Sequence, residues 1–152
     1  MVDSNLKFMK EALKEAVKAR KKNEVPVGAV ITKDGKIISR AHSLVINLKD
    51  PTAHAEIVAI RKACKKIKNK RLTGCTMYVT LEPCAMCAGA LVLSRIKELV
   101  YGADEPKTGG VRSVFRIADN KRLNHRVKVT RGILKDECAG IMKSFFIKKR
   151  LH

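Results

Sequence analysis

The 152-residue sequence has no apolar run that approaches the roughly 20 residues needed to cross a membrane. Residues 1–22 mix charged and apolar side chains and lack the apolar centre of a signal peptide. The five cysteines are an odd number, in a chain long enough to fold without disulfide bonds. These absences predict a soluble cytoplasmic protein without a membrane partner, in which closely spaced cysteines are reduced and serve metal binding or catalysis.

Acidic residues are scarce as well, because 14 Asp and Glu stand against 33 Lys and Arg, for a net charge of +19. A thermophile's preference for charged surfaces would raise glutamate together with lysine. The uncompensated excess therefore favours a polyanionic partner, above all a nucleic acid. The basic residues are spread along the chain and do not form one amphipathic anchor, which argues against an acidic membrane surface.

Hydrophobic spacing predicts alternating helices and strands. Helices are predicted over 6–22, from about 54 to 67, from 83 to about 94 and over 134–149, and strands over 25–32, 36–40, 76–81, 96–101 and 126–130. Lys33-Asp34-Gly35 is a hairpin turn, Thr52 is the expected cap of the second helix, and 111–118 is a further short helical segment. This order predicts the α/β class, as a three-layer α/β/α fold with a mixed five-stranded sheet.

Two short stretches carry the chemistry, His54-Ala55-Glu56 and Pro83-Cys84-Ala85-Met86-Cys87. Both are predicted at helix starts that open toward the same edge of the sheet, which is the usual place for a site in α/β folds. Two thiolates and one imidazole, with the fourth position open, are the ligand set of a catalytic zinc site. The helix N-terminus also favours the thiolate forms that zinc requires. We therefore predict one catalytic Zn²⁺ per chain, held by His54, Cys84 and Cys87.

Glu56 is not needed as a zinc ligand, and its predicted role follows from that. Zinc lowers the pKa of a water molecule to about 7. A carboxylate beside this water can take up its proton and pass it to a ring nitrogen and to departing ammonia. The order His-x-Glu followed by Pro-Cys-x-x-Cys is an established signature of zinc-dependent nucleobase deaminases.

Each part of this pattern also has a simpler interpretation. A single Cys-x-x-Cys pair occurs in redox sites and in structural zinc sites, and a single histidine often belongs to a core. A four-cysteine site would need distant partners, because Cys64, Cys75 and Cys138 are isolated. Cys64 lies on the apolar side of its helix, and neither Cys75 nor Cys138 receives a role. The combination of both stretches at helix starts favours the deaminase interpretation.

Further stretches resemble the tRNA adenosine deaminases of the cytidine deaminase-like superfamily. They are Glu24-Val-Pro-Val-Gly-Ala29, Asp50-Pro-Thr-Ala-His-Ala-Glu56, Tyr78 to Ala90, Lys107-Thr-Gly109, Asn124-His-Arg-Val127 and Gly132-Ile-Leu134. The resemblance covers about residues 5 to 150. It implies a single zinc-dependent deaminase domain over 1–152, a cytidine deaminase-like sheet and a homodimer. The implied reaction converts adenosine to inosine at the wobble position of a tRNA anticodon.

Residue by residue, the resemblance implies the same three zinc ligands and the same proton shuttle as named above. It also implies substrate contacts at Val27, Ser43, Glu105, Lys107, Thr108, Asn124 and Phe146. Two of these positions depart from the family pattern, because Ser43 replaces the usual Asn and Glu105 the usual Asp. Serine cannot make the bidentate contact of asparagine, so the exact substrate is open while the zinc chemistry is unaffected.

Two of the implied contacts have alternatives that the sequence leaves open, and a neighbour of a third suits the core. Asn124 can simply complete a turn before the last strand, and Lys107 can be a solvated loop charge. Phe145 suits the core better than a contact with RNA, whereas Phe146 is one position further round the helix.

Three functions remain in competition. The first is deamination of adenosine in the anticodon stem-loop of a tRNA, where a loop base is already largely unstacked. The second is deamination of a free nucleobase or nucleotide, for example guanine, with the positive charge incidental. The third is an RNA-binding module that zinc stabilises and that has lost catalysis, although Glu56 would then have no purpose.

Overall fold

The computed structural model describes residues 2–150, which form one five-stranded sheet between helices. The elements in chain order are α1 (Val2–Lys21), β1 (Gly28–Lys33), β2 (Lys36–His42), α2 (Val45–Leu48), α3 (Ala55–Ile67), β3 (Cys75–Leu81), α4 (Ala85–Leu93), β4 (Glu98–Ala103), β5 (Lys128–Arg131) and α5 (Lys135–Arg150). The strand order is β2-β1-β3-β4-β5. Strand β1 is antiparallel to β2 and β3, whereas β3, β4 and β5 are parallel. The predicted mixed sheet is confirmed.

The two faces of the sheet carry separate apolar cores, because successive side chains of a strand point to opposite faces. Val30 and Val100 pack with residues of α1 and α5 on one face. Ile31 and Leu99 pack with residues of α3 and α4 on the other. Helices therefore cover both faces, which confirms the three-layer arrangement. Within residues 2–150, no helix combines the length and apolar character that a membrane span requires.

Helix α1 packs closely on the sheet through small residues. A Cβ atom at Gly28 of β1 would lie only 2.0 Å from the carbonyl oxygen of Ala12 in α1. Ala12 and Ala16 are fully buried, whereas the larger Leu6 and Val17 of the same helix are exposed. The helix therefore directs small side chains toward the strand, because larger ones would not fit where the two elements are closest.

The start of α3 differs from the prediction at Thr52. The residue at the N-cap position is His54, which makes no capping hydrogen bond through its side chain. The Thr52 hydroxyl instead donates to the Asp50 carboxylate at 2.7 Å. The predicted cap was therefore wrong, because the chain turns once more before the helix begins and so delivers His54 to the helix start.

Two loop regions also differ from the prediction. The segment 111–118 forms turns and no helix, and several of its backbone N–H groups bond to the side chain of Glu82 instead of to a helical carbonyl. The short helix α2 was not predicted, and it follows β2 directly. Helix α2 borders the candidate site through Val45 and Ile46, and the segment 111–118 is linked to it through Glu82.

Candidate zinc and substrate site

The N-termini of α3 and α4 meet and bring the three predicted zinc ligands together. His54 and Cys84 occupy the N-cap positions of these helices, and Cys87 lies in the first turn of α4. The Nδ1 atom of His54 is 3.6 Å from the Sγ atom of Cys84 and 3.6 Å from that of Cys87. The three donor atoms all lie within 4.8 Å of one another.

These separations fit a tetrahedral zinc ion. With zinc–sulfur and zinc–nitrogen bonds of their usual lengths, a sulfur and a nitrogen ligand lie about 3.6 Å apart. The donor set of one imidazole and two thiols also matches the preference of zinc. Glu56 is not a member of this donor group, so the arrangement offers three protein ligands and leaves a fourth position open.

The two thiols differ in protonation. A hydrogen bond from the Cys87 thiol, together with the His54 ring, lowers the pKa of Cys84 to about 3. The same hydrogen bond to Cys84 and the burial of Cys87 raise the pKa of Cys87 above its ordinary value. The hydrogen bond with Cys84 also raises the pKa of His54. The lowered pKa favours the thiolate form of Cys84, which is the form that binds zinc.

Glu56 lies in the first turn of α3, two residues after His54, and is only 4% exposed. Burial raises the pKa of its carboxyl group to about 7. The nearby His54 lowers this pKa and the Cys84 thiolate raises it, but both influences are smaller than burial. A carboxyl group that titrates near neutral pH is well suited to accept and return a proton.

A single cavity of about 310 Å³ connects this centre with most of the predicted substrate contacts. That volume is at the lower end of the range for small-molecule sites. His54, Glu56 and Cys84 line it, and so do five of the seven predicted contacts, namely Val27, Ser43, Glu105, Thr108 and Phe146. The structure therefore places these five within reach of the same bound group.

The other two predicted contacts lie outside the lining of this cavity. Lys107 is exposed and borders an adjoining groove together with Lys143 and Phe146. Asn124 is exposed in the turn region that precedes β5. Their predicted roles can only involve parts of a substrate that extend beyond the cavity.

Two buried glutamates that border the site received no role from the sequence. Glu82 follows β3 directly, and Glu24 precedes β1. Burial raises the pKa of Glu82, but hydrogen bonds from Ser113 and from the backbone of Arg112, Ser113 and Glu105 outweigh burial and lower it overall. Both glutamates belong to stretches that carried the family resemblance, and that was the available signal.

The match to known proteins agrees with this geometry. A family model described as MafB19-like deaminase matches residues 3–150. The chain belongs to this deaminase family. The deaminase is 54% identical over 143 residues to the "tRNA-specific adenosine deaminase" of Aquifex aeolicus, and the match covers 94% of both chains. The resemblance inferred from the motifs is thereby confirmed.

Two solved structures are similar to this deaminase over different shares of its length. One comes from a study of A-to-I editing by tRNA:A34 deaminases at the wobble position of transfer RNA. It has a TM-score of 0.85, 46% identity, and coverage of 88% of this chain and 97% of that one. The other is a guanine deaminase from Bacillus subtilis, with a TM-score of 0.62, 43% identity, and coverage of 64% and 63%. The similarity to the first extends over much more of the chain.

Proposed function

We propose that this deaminase hydrolyses adenosine to inosine at the wobble position of a tRNA anticodon, in the cytoplasm. The observation that carries the proposal is the convergence of His54, Cys84 and Cys87 beside Glu56 in one cavity. The similarity to the tRNA-specific adenosine deaminase of Aquifex aeolicus supports a tRNA as the substrate. The net charge of +19 also suits a polyanionic RNA.

In the proposed reaction, His54, Cys84 and Cys87 hold one Zn²⁺ ion. When bound, zinc supplies Lewis-acid activation of water near neutral pH. Glu56 takes a proton from the attacking water and delivers it to a ring nitrogen of the base. It then carries the second proton to the amino group, so that the carbon–nitrogen bond breaks and ammonia leaves.

The residues around the cavity hold the base for this reaction. Val27 provides an apolar wall, and the Ser43 hydroxyl can make one hydrogen bond to the nucleoside. Glu105 and Thr108 face the same space from the loop after β4. Phe146 is half exposed and can stack on a base at the opening.

The two exposed predicted contacts, Lys107 and Asn124, serve parts of the RNA beyond the target base. Lys107 lies in the groove beside the cavity, where its ammonium group can approach a phosphate. Asn124 is exposed and free to meet a more distant part of the stem-loop. We propose both as contacts to RNA that a free base could not make.

A second candidate function is deamination of a free nucleobase such as guanine. One observation favours it, because Ser43 occupies a position where the family usually carries asparagine. The guanine deaminase of Bacillus subtilis also shares 43% identity over its matched part. The exposed basic groove beside the cavity would have no role in this reaction.

A comparison of substrates tests the proposal. Purified protein is incubated with an anticodon stem-loop that carries adenosine at the wobble position, and separately with guanine, cytidine and adenosine. We expect deamination of the stem-loop alone, with inosine as its product and no xanthine, uridine or free inosine from the other compounds, because these lack the phosphates that the basic surface binds. A stem-loop with guanosine at the wobble position is the matched control, and it should remain unchanged.

The other outcomes contradict the proposal in different ways. Comparable kcat/KM values for guanine and the stem-loop would establish the free-base activity. Tight binding of the stem-loop without any turnover would instead show an RNA-binding module that has lost catalysis.

We also propose that the protein acts as a homodimer. Met86 and Leu93 are seven residues apart and therefore lie on the same side of α4, and Leu93 is 82% exposed. Val114 and Phe115 are exposed as well, in a segment tied to the start of α4 through the hydrogen bond from the Gly110 N–H to the Pro83 carbonyl. Exposed apolar residues in such a cluster are typical of an interface.

Sedimentation equilibrium tests the dimer. We expect the wild-type protein to sediment as a dimer at micromolar concentration and Leu93→Lys to sediment as a monomer, because a buried unpaired charge opposes association. Lys70→Ala, which changes an exposed residue beyond α3, is the control and should remain dimeric. A monomeric wild type would refute the proposal.

A further inference from the structure

Glu82 is a buried carboxylate that holds the loop after β4 through its backbone. It is only 2% exposed. Its carboxylate oxygens accept hydrogen bonds from the N–H groups of Glu105, Val111, Arg112 and Ser113 at 2.8–3.2 Å. The Ser113 hydroxyl donates a further hydrogen bond. Three consecutive N–H groups that converge on one carboxylate oxygen form an anion-binding concavity made entirely of loop backbone.

The loop fits around this carboxylate without spare room. A Cβ atom at Gly109 would lie 2.3 Å from Oε2 of Glu82. The Gly110 N–H donates to the carbonyl of Pro83 at 2.7 Å, which fastens the loop to the residue before Cys84. Glu105 and Thr108, two of the cavity-lining residues, lie on this loop. Glu82 therefore holds the loop that carries these two side chains.

Glu24 holds a different wall of the same cavity in the same manner. It is 1% exposed, and its two carboxylate oxygens accept the N–H groups of Ile46 at 3.0 Å and Asn47 at 2.6 Å. These N–H groups belong to α2, and Val45 and Ile46 of this helix line the cavity beside Ser43. Without this acceptor, the first N–H groups of so short a helix would lack a partner.

A buried carboxylate is costly unless it is compensated, so its presence needs a reason. Among the side chains that the structure describes, those of residues 4–149, neither glutamate forms an ion pair with a lysine, arginine or histidine. Backbone N–H groups of two cavity-forming segments compensate them instead. An apolar side chain at either position would leave those N–H groups unpaired and the segments free to move.

We propose that Glu82 and Glu24 are positioning residues, each of which holds one substrate-facing wall of the cavity in place by accepting its backbone N–H groups. The inference rests on the proposed function for its consequence in catalysis. It assigns neither residue a contact with the substrate. Each acts through the segment that it holds, Glu82 through the loop 105–113 and Glu24 through α2.

Paired substitutions test this inference. In Glu82→Gln, we expect amide hydrogen exchange at Glu105, Arg112 and Ser113 to become about 10-fold faster, because an amide group replaces part of the acceptor. Exchange at Ile46 and Asn47 should remain unchanged. In Glu24→Gln, amide exchange should become faster at Ile46 and Asn47 and remain unchanged at Glu105, Arg112 and Ser113. Each variant should keep its zinc and raise KM for the stem-loop about 10-fold while kcat changes little, because displaced contacts weaken binding.

Two further variants keep the test decisive if Glu82→Gln fails to fold. Ser113→Ala removes only one hydroxyl donor and should raise KM by a smaller factor. Gly109→Ala retains the Glu82 carboxylate but forces it to move, because the added Cβ atom would overlap it. This variant should reproduce the increase in KM. Glu11→Gln is the matched control, because it removes a glutamate that pairs with Lys14 and Arg40 at the surface.

The outcomes separate this inference from the proposed function. Unchanged exchange in both segments would overturn the positioning role, as would equal acceleration in both segments for either variant. Loss of zinc together with activity would show that Glu82 supports the metal centre instead. Should the wild type fail to convert the stem-loop, the proposed function fails, whereas the exchange pattern still decides whether each glutamate holds its own wall.

Discussion

Replacing Glu56 with glutamine is expected to lower kcat for the stem-loop about 10³-fold, because proton transfer by a positioned carboxylate contributes rate factors of this order. Glutamine has nearly the same shape but cannot accept and return a proton. Zinc content and stem-loop affinity should remain at their wild-type values, since Glu56 is not among the three donors. Single-turnover kinetics, metal analysis and a binding titration measure the three quantities.

The surface variant Glu11→Gln is the control for this substitution and should retain full activity. Persistent turnover in Glu56→Gln would contradict the assignment of Glu56 as proton shuttle. Loss of zinc in this variant would show that the carboxylate belongs to the metal site.

The same substitution should stabilise the metal-free protein at pH 8. Burial raises the pKa of Glu56 to about 7, whereas an unfolded glutamate titrates near 4.5. The stability contributed by the protonated carboxyl is therefore complete below the unfolded pKa and is lost as the pH rises through about 7. A difference of this size corresponds to about 3 kcal/mol, and glutamine avoids the cost of the buried charge.

Urea denaturation of the metal-free proteins measures this effect. The free energy of unfolding of Glu56→Gln should exceed that of the wild type at pH 8, and the difference should nearly vanish at pH 4. If wild type and Glu56→Gln have equal free energies of unfolding at both pH values, the folded protein does not perturb the pKa of Glu56. A higher stability of Glu56→Gln at pH 8 would show that function, and not stability, accounts for a carboxylate at this position.

Loss of a zinc ligand is the second change with a large expected effect. Cys87→Ala should leave the protein with substoichiometric zinc and no measurable turnover, because two remaining donors do not hold the ion in a tetrahedral site. The melting temperature should also fall, since zinc bound to the native state stabilises it. Metal analysis, the stem-loop assay and thermal denaturation record these changes.

Cys64→Ala is the matched control, because Cys64 is a half-buried cysteine on α3 outside the donor group. It should keep its zinc and its activity. Removal of zinc from the wild type by a chelator should abolish turnover, and addition of zinc should restore it. Full activity of Cys87→Ala would refute the metal site, and no recovery after zinc addition would refute its catalytic role.

The sequence was most informative where the chemistry is local. Cys84 and Cys87 lie within one helical turn, so their spacing alone brings the two thiols together. His54 is 30 residues away from Cys84, but it stands at a helix start that opens to the same sheet edge. For this reason the ligand set could be predicted, and the structure places its donors at zinc-binding distances.

The substrate-facing walls were less predictable. Val27, Ser43, Glu105, Thr108 and Phe146 were expected to face the substrate, and they line the cavity, but that expectation came from the family resemblance. Spacing alone did not reveal α2, because a helix of one turn has no periodic signal. The segment 111–118 was predicted to be helical, yet three of its N–H groups bond to a carboxylate about 30 residues earlier.

The amino-acid sequence by itself therefore determined the order of the five strands and the four long helices, the zinc-binding donor set and the excess of positive charge. These depend on patterns within a few turns of chain or on composition. Only the tertiary structure decided which side of α1 is buried and that Glu24 and Glu82 hold the walls of the cavity. Such features depend on close approaches and hydrogen bonds between segments that belong to different helices, strands or loops, and no local pattern encodes them.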